Sequence, residues 1–307
     1  MAASHIPVVD FQTFNDPATR STLSQQLVDA FCSTGFVYLR NHGIDQELIE
    51  SAFSSSKEFF TSPIDEKVKY QRQPGSTVSA GYVGQGKERL TAYVDAEHGI
   101  KEIRESFDIS AYGLNHLPPT LPLPTFAALY QAFWDLGQKI LDCLAVGLDL
   151  PDPTVFRRSH TRVAQPGSGT MLRTLWYPAV EGDAGAKDQL TRCGTHSDYG
   201  TLTLLFQDSV GGLEVENRKD EFVPATPIPG CVLVNVADHL QRWTADRLRS
   251  TRHRVGFGGN VAKQTRQSIA FFLHPDDDVV ITCLDGSDKY PPYVASDHLQ
   301  DRFKRTY

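Results

Sequence analysis

The chain has 307 residues, 40% of them hydrophobic and 22% charged, a composition that can bury a sizeable core and excludes a mainly disordered or fibrous protein. At ~150 residues per domain, that length admits two domains or one large one. Lysine and arginine total 30 against 37 aspartate and glutamate, a net charge of −7 with no basic block, so neither nucleic acid nor an anionic membrane is an expected partner.

Met1 to Phe11 has no basic run followed by an apolar one, so no signal peptide is expected. The longest apolar stretches, such as Ile269 to Leu273, are too short to span a bilayer. Cys32, Cys143, Cys193, Cys231 and Cys283 are scattered with no C-x-x-C pair, which reads as reduced thiols, most of them buried, in a cytoplasmic protein.

In chain order, Ile6 to Phe11 is a short strand candidate, and Leu23, Leu27 and Phe31 recur on one face of a helix that Gly35 stops. Phe36 to Leu39 follows as a strand, and Leu48, Ile49, Ala52 and Phe53 mark a second amphipathic helix. Ser62-Pro63-Ile64-Asp65 starts a further short helix, with Ser62 as N-cap and Pro63 at the first helical position. Pro118, Pro119, Pro122 and Pro124 block helix and ladder alike and make the best boundary in the chain. Phe126, Leu129, Tyr130, Phe133, Ile140, Leu141 and Leu144 then keep helical spacing in what should be the longest helix.

From about Met171 the pattern changes to short β-rich runs: Met171 to Tyr177, Thr201 to Phe206, Cys231 to Val236 and Arg266 to Leu273. Gly211-Gly212, Pro229-Gly230 and Gly258-Gly259-Asn260 punctuate them, the pattern of a sandwich or barrel that includes the double-sheet jelly roll. The chain is therefore read as mainly β with helices. Residues 1–118 form a mixed α/β N-terminal region, 119–165 a linker and long support helix, and 166–307 a jelly-roll (double-stranded β-helix) core.

The chemistry concentrates in Gly194-Thr195-His196-Ser197-Asp198-Tyr199-Gly200. Residues two apart in an extended chain point the same way, so His196 and Asp198 can aim at one point. A lone H-x-D is common by chance, but His253, in Ser250-Thr251-Arg252-His253-Arg254-Val255, supplies a third candidate ligand. Two histidines and one carboxylate leave adjacent positions open on a metal, as in non-haem Fe(II) oxygenases. Arg266 and Ser268 make a second same-face pair, a planar fork and a hydroxyl suited to the distal carboxylate of 2-oxoglutarate. An arginine alone would more simply form a surface ion pair; one paired with Ser268, soon after a candidate ligand, is harder to dismiss.

Taken together these segments resemble the iron- and 2-oxoglutarate-dependent dioxygenases of the isopenicillin-N-synthase-like family. The resemblance runs from Ile6-Pro7-Val8-Val9-Asp10-Phe11 and Gly35 to Gly43 through Glu105 to Ile109, Tyr177-Pro178 and His196 to Thr203. It continues in Gln207-Asp208, Gly211 to Val215, His253-Arg254-Val255 and Arg266-x-Ser268. Gly86-Lys87-Glu88 and the stretch from Leu172 to Val180 make it similar to fungal members, among them the thymine 7-hydroxylase type. The resemblance implies a jelly-roll core with Fe(II) on His196, Asp198 and His253, and 2-oxoglutarate on Arg266 and Ser268. It also implies O2 as cosubstrate, with Arg173, Tyr199 and Phe272 facing a small-molecule substrate. The activity it implies is oxidation of an unactivated C–H bond (hydroxylation, desaturation or cyclisation), in natural-product metabolism. Many plant members carry Asn-Tyr where this chain has Leu175-Trp176, so that cosubstrate-holding role does not transfer. The usual Gly-Asp after the Val-Asn strand is here Ala237-Asp238.

Three other readings compete. A same-fold iron oxidase without a 2-oxo acid could use Arg266 and Ser268 for substrate. A zinc-type hydrolase would leave that pair unexplained, and no H-E-x-x-H is present. A catalytically silent binding module would be expected to lack a ligand. Among the remaining histidines, His42 reads as part of a turn, and His239 as free to face solvent. His98, His116, His160 and His298 read as surface groups. Gly84-x-Gly86 lacks the context of a phosphate loop, and Arg104 with Glu105 reads equally as a substrate border or an exposed ion pair. The expected substrate is compact, with a polar or anionic handle.

Overall fold

Alternation along the strands decides the architecture. In the strand Arg266–Leu273, Ile269, Phe271 and Leu273 point into one apolar cluster, while Arg266, Ser268, Ala270 and Phe272 line a cavity on the other side. Met171–Tyr177, its antiparallel neighbour, divides the same way, with Leu172 on the first side and Met171, Arg173, Leu175 and Tyr177 on the second. One sheet thus has two buried faces. The computed structural model in which this is seen describes residues 6–73, 80–88, 101–110, 113–162, 164–180, 190–257 and 259–306.

That sheet has eight strands. From edge to edge they are Val8–Asp10, Phe36–Arg40, Cys231–Val236, Leu202–Gln207, Arg266–Leu273, Met171–Tyr177, Glu105–Ser110 and Gly81–Val83. It draws strands from both sides of the proline-rich stretch. Its outer face packs on the helices Pro17–Ser33, Gln46–Thr61 and Leu123–Gly147 through Leu27, Phe31, Phe59, Phe133, Phe206 and Phe271. A four-stranded sheet, ordered Phe222–Pro224, Leu213–Glu216, His253–Val255 and Cys193–His196, covers the inner face. Leu175, Tyr177, Leu233 and Ala270 of the large sheet meet Cys193, Leu213, Val215 and Val255 of the small one in a second apolar cluster. Two such packed sheets are the jelly-roll core.

The helix starts follow from local chemistry. Asp16 and Asp45 accept the main-chain N–H of Ala18 and Glu47, capping the first two long helices. Ser62 does not cap the next one. The helix Gln46–Thr61 runs up to it, so its Oγ donates instead to the Phe59 carbonyl (2.6 Å), which also accepts the Ser62 main-chain N–H (3.1 Å), and Pro63 holds the N-cap position. Pro124 sits in the first turn of the 25-residue helix Leu123–Gly147, where no N–H is needed. Gly35 has φ +73°, and a Cβ there would lie 2.4 Å from the Arg249 carbonyl, so both backbone and space demand glycine.

Several histidines read as surface groups are interior. His239 is fully buried in the helix Asp238–Trp243, with Nδ1 2.6 Å from the Tyr293 hydroxyl. His160 is 1% exposed between the Phe156 carbonyl and the Thr201 hydroxyl, and His298 is half-buried 3.7 Å from Asp238. Much of this burial comes from the segment around Tyr293 and the C-terminal helix Ala295–Thr306, whose His298 ring lies 5.1 Å from that of His239. His116 is exposed, His42 accepts the N–H of Ile44 in a turn, and His98 lies outside the described residues. All five cysteines are free, but only Cys143 and Cys193 are buried, so the expectation that most are interior does not hold. Among the described residues, no helix is long and apolar enough to cross a membrane.

Candidate active site

The small sheet sets His253 directly opposite His196 across an antiparallel pair, and the two ring centroids are 4.3 Å apart. Asp198 stands just beyond the strand end, its Oδ1 3.7 Å from Nε2 of each histidine. One ligand atom from each of the three lies within 4.8 Å of the others.

The surroundings orient each of these atoms inward. His196 Nδ1 is 2.8 Å from the Gly194 carbonyl, and His253 Nδ1 is 3.1 Å from the Thr251 carbonyl. A carbonyl only accepts, so each Nδ1 carries the proton and each Nε2 keeps its lone pair for a metal. Asp198 Oδ2 accepts from the Thr203 hydroxyl (2.6 Å) and Asn235 Nδ2 (2.8 Å), which leaves Oδ1 for the metal side. The hydrogen bonds from Asn235 and Thr203 favour the Asp198 carboxylate against the burial that opposes its charge. Burial, followed by His196, pushes His253 well below its ordinary value, into the neutral form that binds metal. A buried two-histidine, one-carboxylate set with this bonding fits Fe(II).

Arg266, 1% exposed, lines the same cavity from the large sheet. Nη1 donates to the Ser268 hydroxyl and Nη2 to Gln207 Oε1, both at 3.1 Å, and the guanidinium lies 4.8 Å from the Tyr177 ring centroid. Among the described residues no carboxylate pairs with it and Nε has no partner. Nearby Asp208 is turned away, accepting the main-chain N–H groups of Gln267 and Val210. Neutral oxygens orient the guanidinium without cancelling its charge, so an arriving carboxylate would find it prepared.

Arg173 lines the cavity in a different state. Asp108 takes its Nε (2.6 Å) and Nη2 (2.9 Å), and Glu88 takes its Nη1 (2.9 Å). Glu88 also pairs with Arg104 (2.8 Å), which reaches Glu102 (3.0 Å) and the Cys193 sulfur. Arg104 and Glu105 are thus both buried, and they do not pair with one another; Glu105 is held by Lys67 and the Tyr82 hydroxyl. Neighbours in an extended chain point to opposite sides, which gave the two residues separate partners.

Tyr199 and Phe272 line the cavity, as do His274 and Leu299. Leu299 arrives on the C-terminal helix, where Arg302 pairs with Asp238 and lies 4.9 Å from the Tyr199 ring centroid. The cavity encloses about 100 Å³. No site role is read for Asn235, Thr203 or Gln207 from the sequence, although Thr203 and Gln207 fall within segments that carry the family resemblance. Asn235 and Thr203 each interrupt an apolar run on the cavity side of a strand, a signal that alternation could have supplied.

Comparison with known proteins gives a consistent picture. Residues 6–123 match the family described as non-haem dioxygenase in morphine synthesis N-terminal, and residues 169–275 match the 2OG-Fe(II) oxygenase superfamily. The 2-oxoglutarate-dependent dioxygenase frbA of Dothideomycetidae sp. is 34% identical over 98% of this chain and 97% of its own length. Proline hydroxylase buaE of Petromyces alliaceus is 34% identical, covering 87% and 86% respectively. The crystal structure of full-length Neurospora crassa thymine 7-hydroxylase in complex with alpha-KG is similar with a TM-score of 0.83 and 30% identity, covering 97% of this chain and 96% of that one. JOX2 in complex with 2OG, Fe and JA gives a TM-score of 0.79 at 25% identity, covering 99% and 86%.

Proposed function

Because the chain belongs to the 2OG-Fe(II) oxygenase superfamily, we propose that His196, Asp198 and His253 hold its Fe(II), and that Arg266 with Ser268 takes the distal carboxylate of its 2-oxoglutarate. The protein is an Fe(II)- and 2-oxoglutarate-dependent oxygenase of small molecules. The observation that carries the residue assignment is the pairing, in one cavity, of three convergent ligand atoms with a buried arginine that lacks a carboxylate.

When bound, the metal and the keto acid supply the activation of dioxygen and the oxidising power that breaks an unactivated C–H bond. The chain's own residues do the positioning. Thr203 and Asn235 fix which oxygen of Asp198 faces the metal, and the Gly194 and Thr251 carbonyls fix the tautomers of His196 and His253. Tyr199, Phe272 and Leu299 give the same cavity an apolar wall.

The substrate is a compact, neutral molecule with a hydrogen-bonding edge. Beside Arg266, which is assigned to the cosubstrate, Arg173 and Arg104 carry the cavity wall's positive charge, and both are already matched by Glu88, Asp108 and Glu102. A polar handle suits that wall better than an anionic one. Fungal relatives named as dioxygenases and hydroxylases support a place in natural-product metabolism. We assign catalysis to residues 166–307, which contain every proposed metal and cosubstrate residue, with 1–118 and 119–165 as supporting scaffold. The five free cysteines support a cytoplasmic location.

Anaerobic addition of Fe(II) and then 2-oxoglutarate should give a weak visible charge-transfer band that His253→Ala abolishes. An unaltered band in that variant would refute the ligand set, and activity with zinc alone would favour a hydrolase.

A further inference from the structure

A cleft away from the catalytic cavity gathers four arginines: Arg218, Arg247, Arg249 and Arg252. It opens between the end of the helix Pro17–Ser33, the turn after the strand Leu213–Glu216 and the loop that leads to His253. Two acidic residues line it, and both are engaged: Glu216 by Arg252, and Asp246 by Lys289 and the Tyr290 hydroxyl. The other three arginines form no ion pair among the described residues. Main-chain carbonyls orient two of them. Arg218 donates to Ser33 (3.2 Å) and Cys32, and Arg247 donates to Leu148 (3.1 Å). These acceptors close helix ends, whose partial negative charge of about half a unit offsets only part of a guanidinium. Arg249 has a buried Nη1 with no partner, and burial followed by the nearby Arg218 disfavours its charged form more than Glu216 and Asp220 favour it. Three arginines outside any ion pair among the described residues share one concavity in a chain whose net charge is −7.

We propose that this cleft binds a phosphate-class oxyanion, held by Arg218, Arg247 and Arg249. Guanidinium forks match phosphate oxygens two at a time, and a divalent anion would cancel most of the local charge. The anion would also fasten the loop from Arg247 to Arg252 to the end of the first long helix.

The test is calorimetric titration of inorganic phosphate, and separately of AMP as a phosphomonoester, into the full chain with and without saturating 2-oxoglutarate. A Kd at or below about 1 mM is expected, weakening with added salt and unmoved by 2-oxoglutarate. Arg249→Gln should weaken it at least tenfold. Arg218→Gln, at an exposed position, should do the same where the first variant folds poorly, and Arg158→Gln, outside the cleft, should leave it unchanged. Binding of AMP as well as phosphate would identify a phosphorylated metabolite as the ligand class, and binding of phosphate alone the free ion; either supports the site. Absence of binding, wild-type affinity in both cleft variants, or displacement by 2-oxoglutarate would overturn it.

Discussion

Arg266 and Arg173 lie on paired strands and face one cavity, each no more than 5% exposed, yet they are built for opposite purposes. Arg173 is saturated by Asp108 and Glu88, so its charge serves the wall. Arg266 is steadied by a hydroxyl and an amide oxygen, so its charge is still available. Burial and residue type are the same in both. What separates a binding arginine from a structural one is whether the protein itself supplies the counter-charge.

The largest effect should come from cutting the other end of the site that Arg266 serves. His253→Ala should abolish turnover, whereas His239→Ala, which removes the partner of Tyr293, should lower stability and leave iron bound. Metal analysis of both purified variants checks this, and iron retained by the first but lost from the second would reverse the assignment. Arg173→Gln should leave Asp108 with Arg72 (3.5 Å) and Glu88 with Arg104 (2.8 Å), a buried network one positive charge short, and lower unfolding stability by about 3–5 kcal/mol in urea titration, with the 2-oxoglutarate constant little changed. If stability holds and 2-oxoglutarate binding falls, the two arginines have been assigned the wrong way round.

Acid separates the ion-paired wall from the histidines beyond it. Burial lowers His160 from its ordinary 6.5 to about 4, and lowers His239 as well. Between those values the unfolded chain takes up a proton that the folded one refuses. Stability should therefore be complete above about pH 6.5 and fall progressively towards pH 4. At roughly 1.4 kcal/mol per pH unit, His160 alone accounts for about 3 kcal/mol of that loss. Asp238, held at about 2, loses its contribution only below the ordinary carboxylate value of 3.8. Urea titrations at pH 7, 6 and 5 would show the decline, and a flat profile above pH 5 would mean that these histidines are not buried neutral. The smallest effect is expected for Arg266→Gln, which should weaken 2-oxoglutarate binding roughly ten- to a hundredfold, at about 1.5–3 kcal/mol for a charge-assisted bond, with iron retained. A shift in the substrate constant alone would point instead to an oxidase that uses Arg266 for substrate.

The parts of this site that were legible in the sequence are those that lie on one strand or one short run. Two-residue alternation is a local property, and it placed His196 with Asp198 and Arg266 with Ser268. The register that sets His253 opposite His196 depends on pairing across the fold, and there only the likeness of Ser-x-x-His-Arg-Val to a known family was informative. Burial was harder still. His160, His239 and His298 sit in polar local sequence, and their interior position depends on packing among segments far apart in the chain. Arg104 and Glu105 looked like an exposed pair because their partners, Glu88, Glu102 and Lys67, are brought in by the fold. The three longest helices and six strands of the large sheet were read well, since each has an apolar period of its own, whereas the C-terminal helix Ala295–Thr306 and the strands of the small sheet were not anticipated. The capping role given to Ser62 failed because the preceding helix runs longer than its apolar pattern.

His196 and His253 belong to the small sheet, whereas Arg266 and Ser268 belong to the large one. A keto acid chelated at one end and ion-paired at the other, as proposed, would therefore be a strut between the two layers, added to the hydrogen bonds that Thr203 and Asn235 make to Asp198. Loading it should slow the breathing of one layer against the other. At a hundredfold excess over its Kd it would add about 2.7 kcal/mol of resistance to unfolding, and hydrogen exchange should slow on strands of both layers together.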